Sequence, residues 1–242
     1  MKTDPSPTAK AALARLRAAN PTLELFAAEA PEFGEFGRLV EGLPTGALVD
    51  WMTANVPIGE AVAYQRSVGE LEDLVGPEGR AGRDCTWKQY ASAVFFGGQA
   101  AEVGWVAGKS SQLNAFEYHK SSELFIAATD LVLLLGRLSE LRDFARFDSS
   151  RVRGFVVGRG TALELYASTL HFAPIMADPS GFRAAIILPL GTNAPLENVD
   201  TGLPGEEGLL WAERKWLLAC PGSKPAAKGA RVGMENVEVK LG

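Results

Sequence analysis

From residue 85 to residue 219 the chain is a succession of short apolar runs separated by glycine, proline and polar turns. This rhythm restricts the fold more than any other feature, because its spacing is that of a β-sandwich or barrel. It predicts strands at 91–96, 102–107, 111–118, 123–129, 131–135, 155–157, 161–167, 169–174, 183–189 and 215–219. Earlier in the chain, an Ala/Leu/Lys/Arg-rich segment halted by Asn20-Pro21 predicts a helix over 7–19. A short strand is expected at 23–27 and a short helix at 46–55. Helical spacing of Leu138, Leu141 and Phe144 predicts a helical insertion over 138–147. Residues 191–208 form a long loop without period, of the kind that covers sites, and 235–241 is again strand-like. The expectation is a mainly β, jelly-roll barrel with a few peripheral helices. Residues 1–20 would be a helical lead-in and 21–242 a single domain.

With 242 residues, 47% of them hydrophobic, the chain can bury a large core. A net charge of −5 argues against a nucleic-acid binder, which would carry a basic patch. No window reaches the ~18 apolar residues of a membrane span. The N-terminus lacks the charged-then-apolar order of a secretory signal. Cys85 and Cys220 make no disulfide framework and read as small buried hydrophobes. A cytoplasmic protein with no nucleic-acid or membrane partner is expected. Because the edges of an open jelly roll are often covered by a symmetric copy, a homodimer is expected too.

The chain has two histidines, His119 and His171, each within an apolar, strand-like run. Strand side chains alternate between faces, so Glu117, His119 and Glu123 share parity and can point the same way. With His171 from a later strand they would form a four-ligand metal cup. Buried carboxylates are costly unless paired or metal-bound, which favours the cup over two merely hydrogen-bonded histidines. Imidazole with carboxylate suits Mn, Zn, Fe, Co or Ni. The spacing Glu117-x-His119-x-x-x-Glu123, followed by His171, resembles the double-motif cupin pattern, with Glu117 where a first histidine would stand. Glu117 is therefore either the fourth ligand or a base beside the metal.

Longer stretches carry a family resemblance. Residues 113–123 (LNAFEYHKSSE), 129–136 (TDLVLLLG), 164–174 (ELYASTLHFAP), 188–193 (LPLGTN) and 214–217 (RKWL) resemble the bacterial DUF4867 family. That is a cupin-like group without an assigned function, similar in general look to ureidoglycolate lyase-type cupins, whose members tend to sit among sugar-utilisation genes. The resemblance covers roughly residues 20–225. It implies a cupin-like double-stranded β-helix and carbohydrate chemistry, without giving a reaction.

Other residues are candidates by position. Arg183 and Lys215, near strand starts, could hold a carboxylate, sulfonate or phosphate. Glu164 and Tyr166 share a face with each other but oppose His171 by alternation, so they enter the cup only if a bulge intervenes. Gln99 and Glu102 could support the histidines. Ser121 and Ser122 have no matching His–Asp set. The leading expectation is a metal-dependent isomerase or epimerase of a sugar or sugar acid, working through an enediol. Glu117 would shuttle the proton, or Glu164 or Lys215 if Glu117 is a ligand. Arg183, Tyr166 or Lys215 would bind a carbohydrate substrate, including its anionic group. The alternatives are a ureidoglycolate-type lyase and a non-catalytic sugar-binding cupin.

Overall fold

The computed structural model describes residues 4–79, 82, 84–235 and 240–241. The chain opens with helix α1 (Pro7–Ala19), capped by the Ser6 hydroxyl, which accepts the Ala9 N–H, with Pro7 in the first turn. Strands β1 (Glu24–Ala27) and β2 (Gly37–Leu39), helix α2 (Gly46–Asn55) and the edge strand β3 (Ala63–Gln65) follow. The barrel strands are β4 (Ala101–Gly108), β5 (Ala115–His119), β6 (Glu123–Ala127) and β7 (Leu131–Arg137). After the short β8 (Phe147–Asp148) come β9 (Arg153–Val157), β10 (Ala162–Leu165), β11 (Thr169–Leu170), β12 (Ile175–Met176) and β13 (Phe182–Pro189). The chain closes with β14 (Leu210–Ala212), β15 (Lys215–Ala219) and β16 (Met234–Glu235).

One sheet runs β2-β10-β6-β13-β4-β3, antiparallel throughout. The facing sheet runs β9-β7-β11/β12, widened by β1 parallel to β9. It is continued by an isolated Glu117–His171 bridge to β5, β15 and β14. Thus β4-β13-β6-β10 faces β5-(β11/β12)-β7-β9, with the chain passing back and forth between layers. This is the cupin-like double-stranded β-helix, a jelly roll.

Three packed layers explain the uninterrupted apolar runs. Phe125, Leu133, Phe155, Leu163 and Ile186, from both sheets, meet inside the barrel. The opposite faces are also covered. Val132, Leu134 and Val156 pack under α1 residues Ala9 and Leu16, while Val103, Ile126 and Ile187 pack under α2 and Trp87. A strand covered on both faces loses the polar/apolar alternation that a half-exposed strand shows.

Three expected elements differ. Residues 91–96 are not a strand. The Thr86/Gln89 capping box starts a helical turn, Trp87–Tyr90, which runs on as a π-turn over Ala91–Phe95. The helix expected over 138–147 reduces to one 3₁₀ turn, Leu138–Glu140, because Asp143 and Phe144 adopt φ of 52° and 49°, outside the helical region. The strand expected at 169–174 shortens to β11 and a single bridge at His171, and β12 starts only at Ile175. Of the tail expected at 235–241, residues 236–239 lie outside the described residues, as do residues 1–3 of the lead-in. No helix among the described residues is long and apolar enough to cross a membrane.

Candidate metal centre

The centre sits inside the barrel where β5 meets its neighbours. Register places Lys215 of β15 directly across from His119, and Leu217 across from Glu117. On the other side, Glu117 and His171 exchange both backbone hydrogen bonds, at 2.7 and 2.9 Å. Directly opposed residues share a face. Glu117, His119, Lys215 and His171 therefore project together, while Phe116 and Tyr118 turn outward into the core beneath α1.

Glu123 arrives by a different route from the expected one. It does not share a strand with His119: β5 ends at His119, a turn crosses between sheets, and Glu123 opens β6 in the facing layer. It has the parity of Phe125, which points into the barrel. The cup is thus closed from two sheets.

The imidazoles are fixed through their rear nitrogens. His119 Nδ1 donates to the Arg214 carbonyl at 3.1 Å, and His171 Nδ1 donates to the Thr169 carbonyl at 2.9 Å. A carbonyl can only accept, so these bonds set the tautomer of the neutral ring and turn each Nε2 lone pair inward. Both Nε2 atoms are buried and lack a hydrogen-bond partner. Around them stand two carboxylates. Glu123 Oε2 lies 3.6 Å from His171 Nε2 and 3.8 Å from His119 Nε2, and Glu117 Oε1 lies 4.0 Å from His119 Nε2. One ligand atom each from Glu117, His119 and His171 falls within 4.8 Å of the others. Converging nitrogen and oxygen donors at such spacings fit a transition-metal ion.

Burial pushes the His119 pKa down to about 4, with His171 adding to the effect against the pull of the carboxylates. For His171 burial acts in the same direction, but Glu123 and Glu117 outweigh it and hold the pKa above its ordinary value. Glu117 stays below the usual carboxylate range despite its burial, because Lys215 and the two histidines face it. Lys215 Nζ is ion-paired with Glu117 Oε2.

A cavity of about 660 Å³ opens beside the centre, lined by Glu117, Glu123, His171 and Lys215 and by the apolar Phe125, Leu133 and Ile186. Such a volume suits a small molecule. Its wall also includes Tyr64, Asn193, Lys109, Lys224 and Lys228, none of them singled out from the sequence. Tyr64 sits on the three-residue edge strand β3, too short to signal a site. Asn193 belongs to the aperiodic loop expected to cover one, at φ 67°. Burial raises the Tyr64 phenol pKa; Asn193 opposes this, and the nearby Glu123, Glu102 and Glu117 add to it.

Several expected residues lie elsewhere. Strand β10 has no bulge, so Glu164 stays on the outer face, where Arg38 Nε donates to it at 2.7 Å. Arg183 also faces outward and donates to the Val56 carbonyl. Tyr166, of the same parity as Glu164, is absent from the cavity wall. Glu102 is buried, but it accepts from Arg66 at 3.2 Å and from the Gly191 N–H at 3.1 Å rather than serving the histidines. Gln99 is exposed.

Among solved structures, the chain resembles oxalate decarboxylase of Bacillus subtilis at 11% identity, over 40% of this chain and 24% of that one, with a TM-score of 0.29. It resembles salicylate 1,2-dioxygenase of Pseudoaminobacter salicylatoxidans at 8% identity, over 58% and 30%, with a TM-score of 0.29. It also resembles a polyketide cyclase of Streptomyces resistomycificus at 13% identity, over 38% and 56%, with a TM-score of 0.26. The chain spans less than a third of the first two, and likeness of this degree does not extend to their reactions. No curated protein matches it. A model of the DUF4867 family, described as a domain of unknown function, matches residues 26–239, and the chain belongs to that family.

Proposed function

We propose that this protein is a metal-dependent enzyme that isomerises or epimerises a sugar or sugar acid by moving a proton between adjacent carbons. The observation that carries the reading is the pair of buried Nε2 atoms, each without a partner and each oriented by a carbonyl behind its ring. Burying a polar atom unpaired is costly, and coordination of a metal ion is one way to offset that cost. His119, His171 and Glu123 would hold the ion, with Glu117 beside it. A bound divalent ion would supply Lewis acidity toward a carbonyl and its neighbouring hydroxyl.

The rest falls to the chain. Glu117 is ionised at neutral pH, the form a proton acceptor requires, and Lys215 engages its Oε2. In this reading Oε1 takes the proton from one carbon and returns it to the next. Phe125, Leu133 and Ile186 form the apolar part of the wall and keep bulk water from the carbanionic intermediate. Elemental analysis should find near-stoichiometric transition metal in the purified protein. The loaded protein should then exchange solvent deuterium into at least one member of a broad panel of aldoses, ketoses and sugar acids. A protein that stays metal-free after reconstitution, or one that is loaded and exchanges nothing, overturns the reading.

A further inference from the structure

The cavity wall carries four lysines, of which two have no carboxylate partner among the described residues. Lys109 is paired with Glu60 at 2.7 Å and Lys215 with Glu117. Lys224 and Lys228 line the same cavity, and among the described residues their ammonium groups have no carboxylate partner. In a chain of net charge −5, two exposed lysines on the wall of one cavity, without carboxylate partners among the described residues, are a local reversal of sign. Lys224 opens the short Lys224–Ala227 helix, which Ser223 caps by accepting the Ala226 N–H, and Lys228 follows its last residue.

The same wall carries Tyr64. Its oxygen accepts a hydrogen bond from Asn193 Nδ2 at 3.3 Å, leaving the phenolic hydrogen free to be donated into the cavity. Asn193 is itself placed by its backbone N–H, which donates to the Glu213 carbonyl at 3.0 Å.

We infer that the cavity takes a polyhydroxylated anion, with its carboxylate or phosphate on Lys224 and Lys228 and a hydroxyl accepting from Tyr64. The inference rests on the proposal above that the cavity beside the centre is the substrate site, and it narrows the substrate from sugars in general to their acids and phosphates. Ammonium groups bind either anion as point charges, so the lysines alone do not separate the two.

The test is calorimetric titration of the full-length protein with gluconate, fructose 6-phosphate, neutral fructose and succinate, alongside elemental analysis of each sample. At least one of the first two should bind roughly tenfold more tightly than fructose, which lacks the anion, and than succinate, which lacks the hydroxyls. The tighter of the two identifies the anion. Lys224→Ala/Lys228→Ala should bring that ligand down to the affinity of fructose. Tyr64→Phe should weaken it by about tenfold while leaving succinate unchanged. Fructose binding as tightly as both anions, an anion affinity untouched by the double substitution, or no binding of either anion would each overturn the inference. Metal retained in protein that fails these titrations sinks the subsite alone. A metal-free parent that passes them sinks the metal centre alone.

Discussion

Two buried acidic sites, one on Glu72 and one on Glu117 and Glu123, lie on either side of the six-stranded sheet and are built on opposite principles. Outside the barrel, Glu72 is fully engaged. Its Oε1 accepts from the Ser67 hydroxyl at 2.9 Å and from the Val103 N–H at 3.3 Å, and its Oε2 accepts from Lys88 Nζ at 2.8 Å. Inside, Glu123 reaches no closer than 3.6 Å to a histidine nitrogen, and both Nε2 atoms are orphaned. A buried carboxylate surrounded by donors holds segments together. Buried imidazole nitrogens that converge with carboxylate oxygens and bond to none of them have the arrangement of a ligand set. The first cluster should be sensitive in stability and the second in ligand content.

That contrast can be broken most sharply at the histidines. His119→Ala and His171→Ala should each reduce bound metal to background in elemental analysis, whereas Glu72→Ala should retain the full amount. Glu72→Ala should instead destabilise the fold by about 1–2 kcal/mol in urea denaturation, since it leaves the buried Val103 N–H without its acceptor while the partly exposed Lys88 returns to water. If the two sets of variants behaved alike, the distinction would collapse. Glu117→Gln should keep its metal yet lower deuterium exchange by about a hundredfold, because the proton acceptor is gone while the proposed ligands remain.

A pH titration sharpens the Glu72 side. Ser67, Lys88 and Val103 overcome the cost of burial and lower its pKa in the folded state from an ordinary 4.5. A depressed carboxylate contributes its full stability above the unfolded value and loses it as pH falls through the folded one. The gap in unfolding free energy between the parent and Glu72→Gln should therefore be constant near neutrality and shrink below pH 4.5. The smallest effect belongs to Arg38→Ala. Its partner Glu164 sits on the outer face and Arg38 is half-exposed, so thermal denaturation should register about 0.5 kcal/mol or less.

What could be read from the sequence follows the same physical divide. Strands such as β4, β7 and β13 announce themselves because apolar side chains on both faces leave an unbroken run. The two histidines and the acids near them stood out because charge inside such runs needs a partner. Parity could not relate Glu164 and Tyr166 to His171, because a turn at 167–168 places β10 and β11 in different sheets. It could not reveal that β5 and β6 belong to different sheets, since a turn between layers leaves no period. Nor could it find Tyr64 and Asn193, which meet across 129 residues from an edge strand and a loop. Their role depends on tertiary placement, and neither segment carries a pattern. The 138–147 helix failed for a local reason: two residues in the left-handed region override a favourable spacing.

The bond from His119 to the Arg214 carbonyl links residues 95 positions apart. One imidazole is thus steadied by a hairpin that forms no part of the eight-strand wind, and the other by a carbonyl only two residues before it, that of Thr169. No fragment that stops before the hairpin can orient both rings. The arrangement that faces both Nε2 atoms inward is therefore complete only when the β14–β15 hairpin is paired with β5. A chain cut before β14 would lack the Arg214 carbonyl and leave the His119 ring without its anchor.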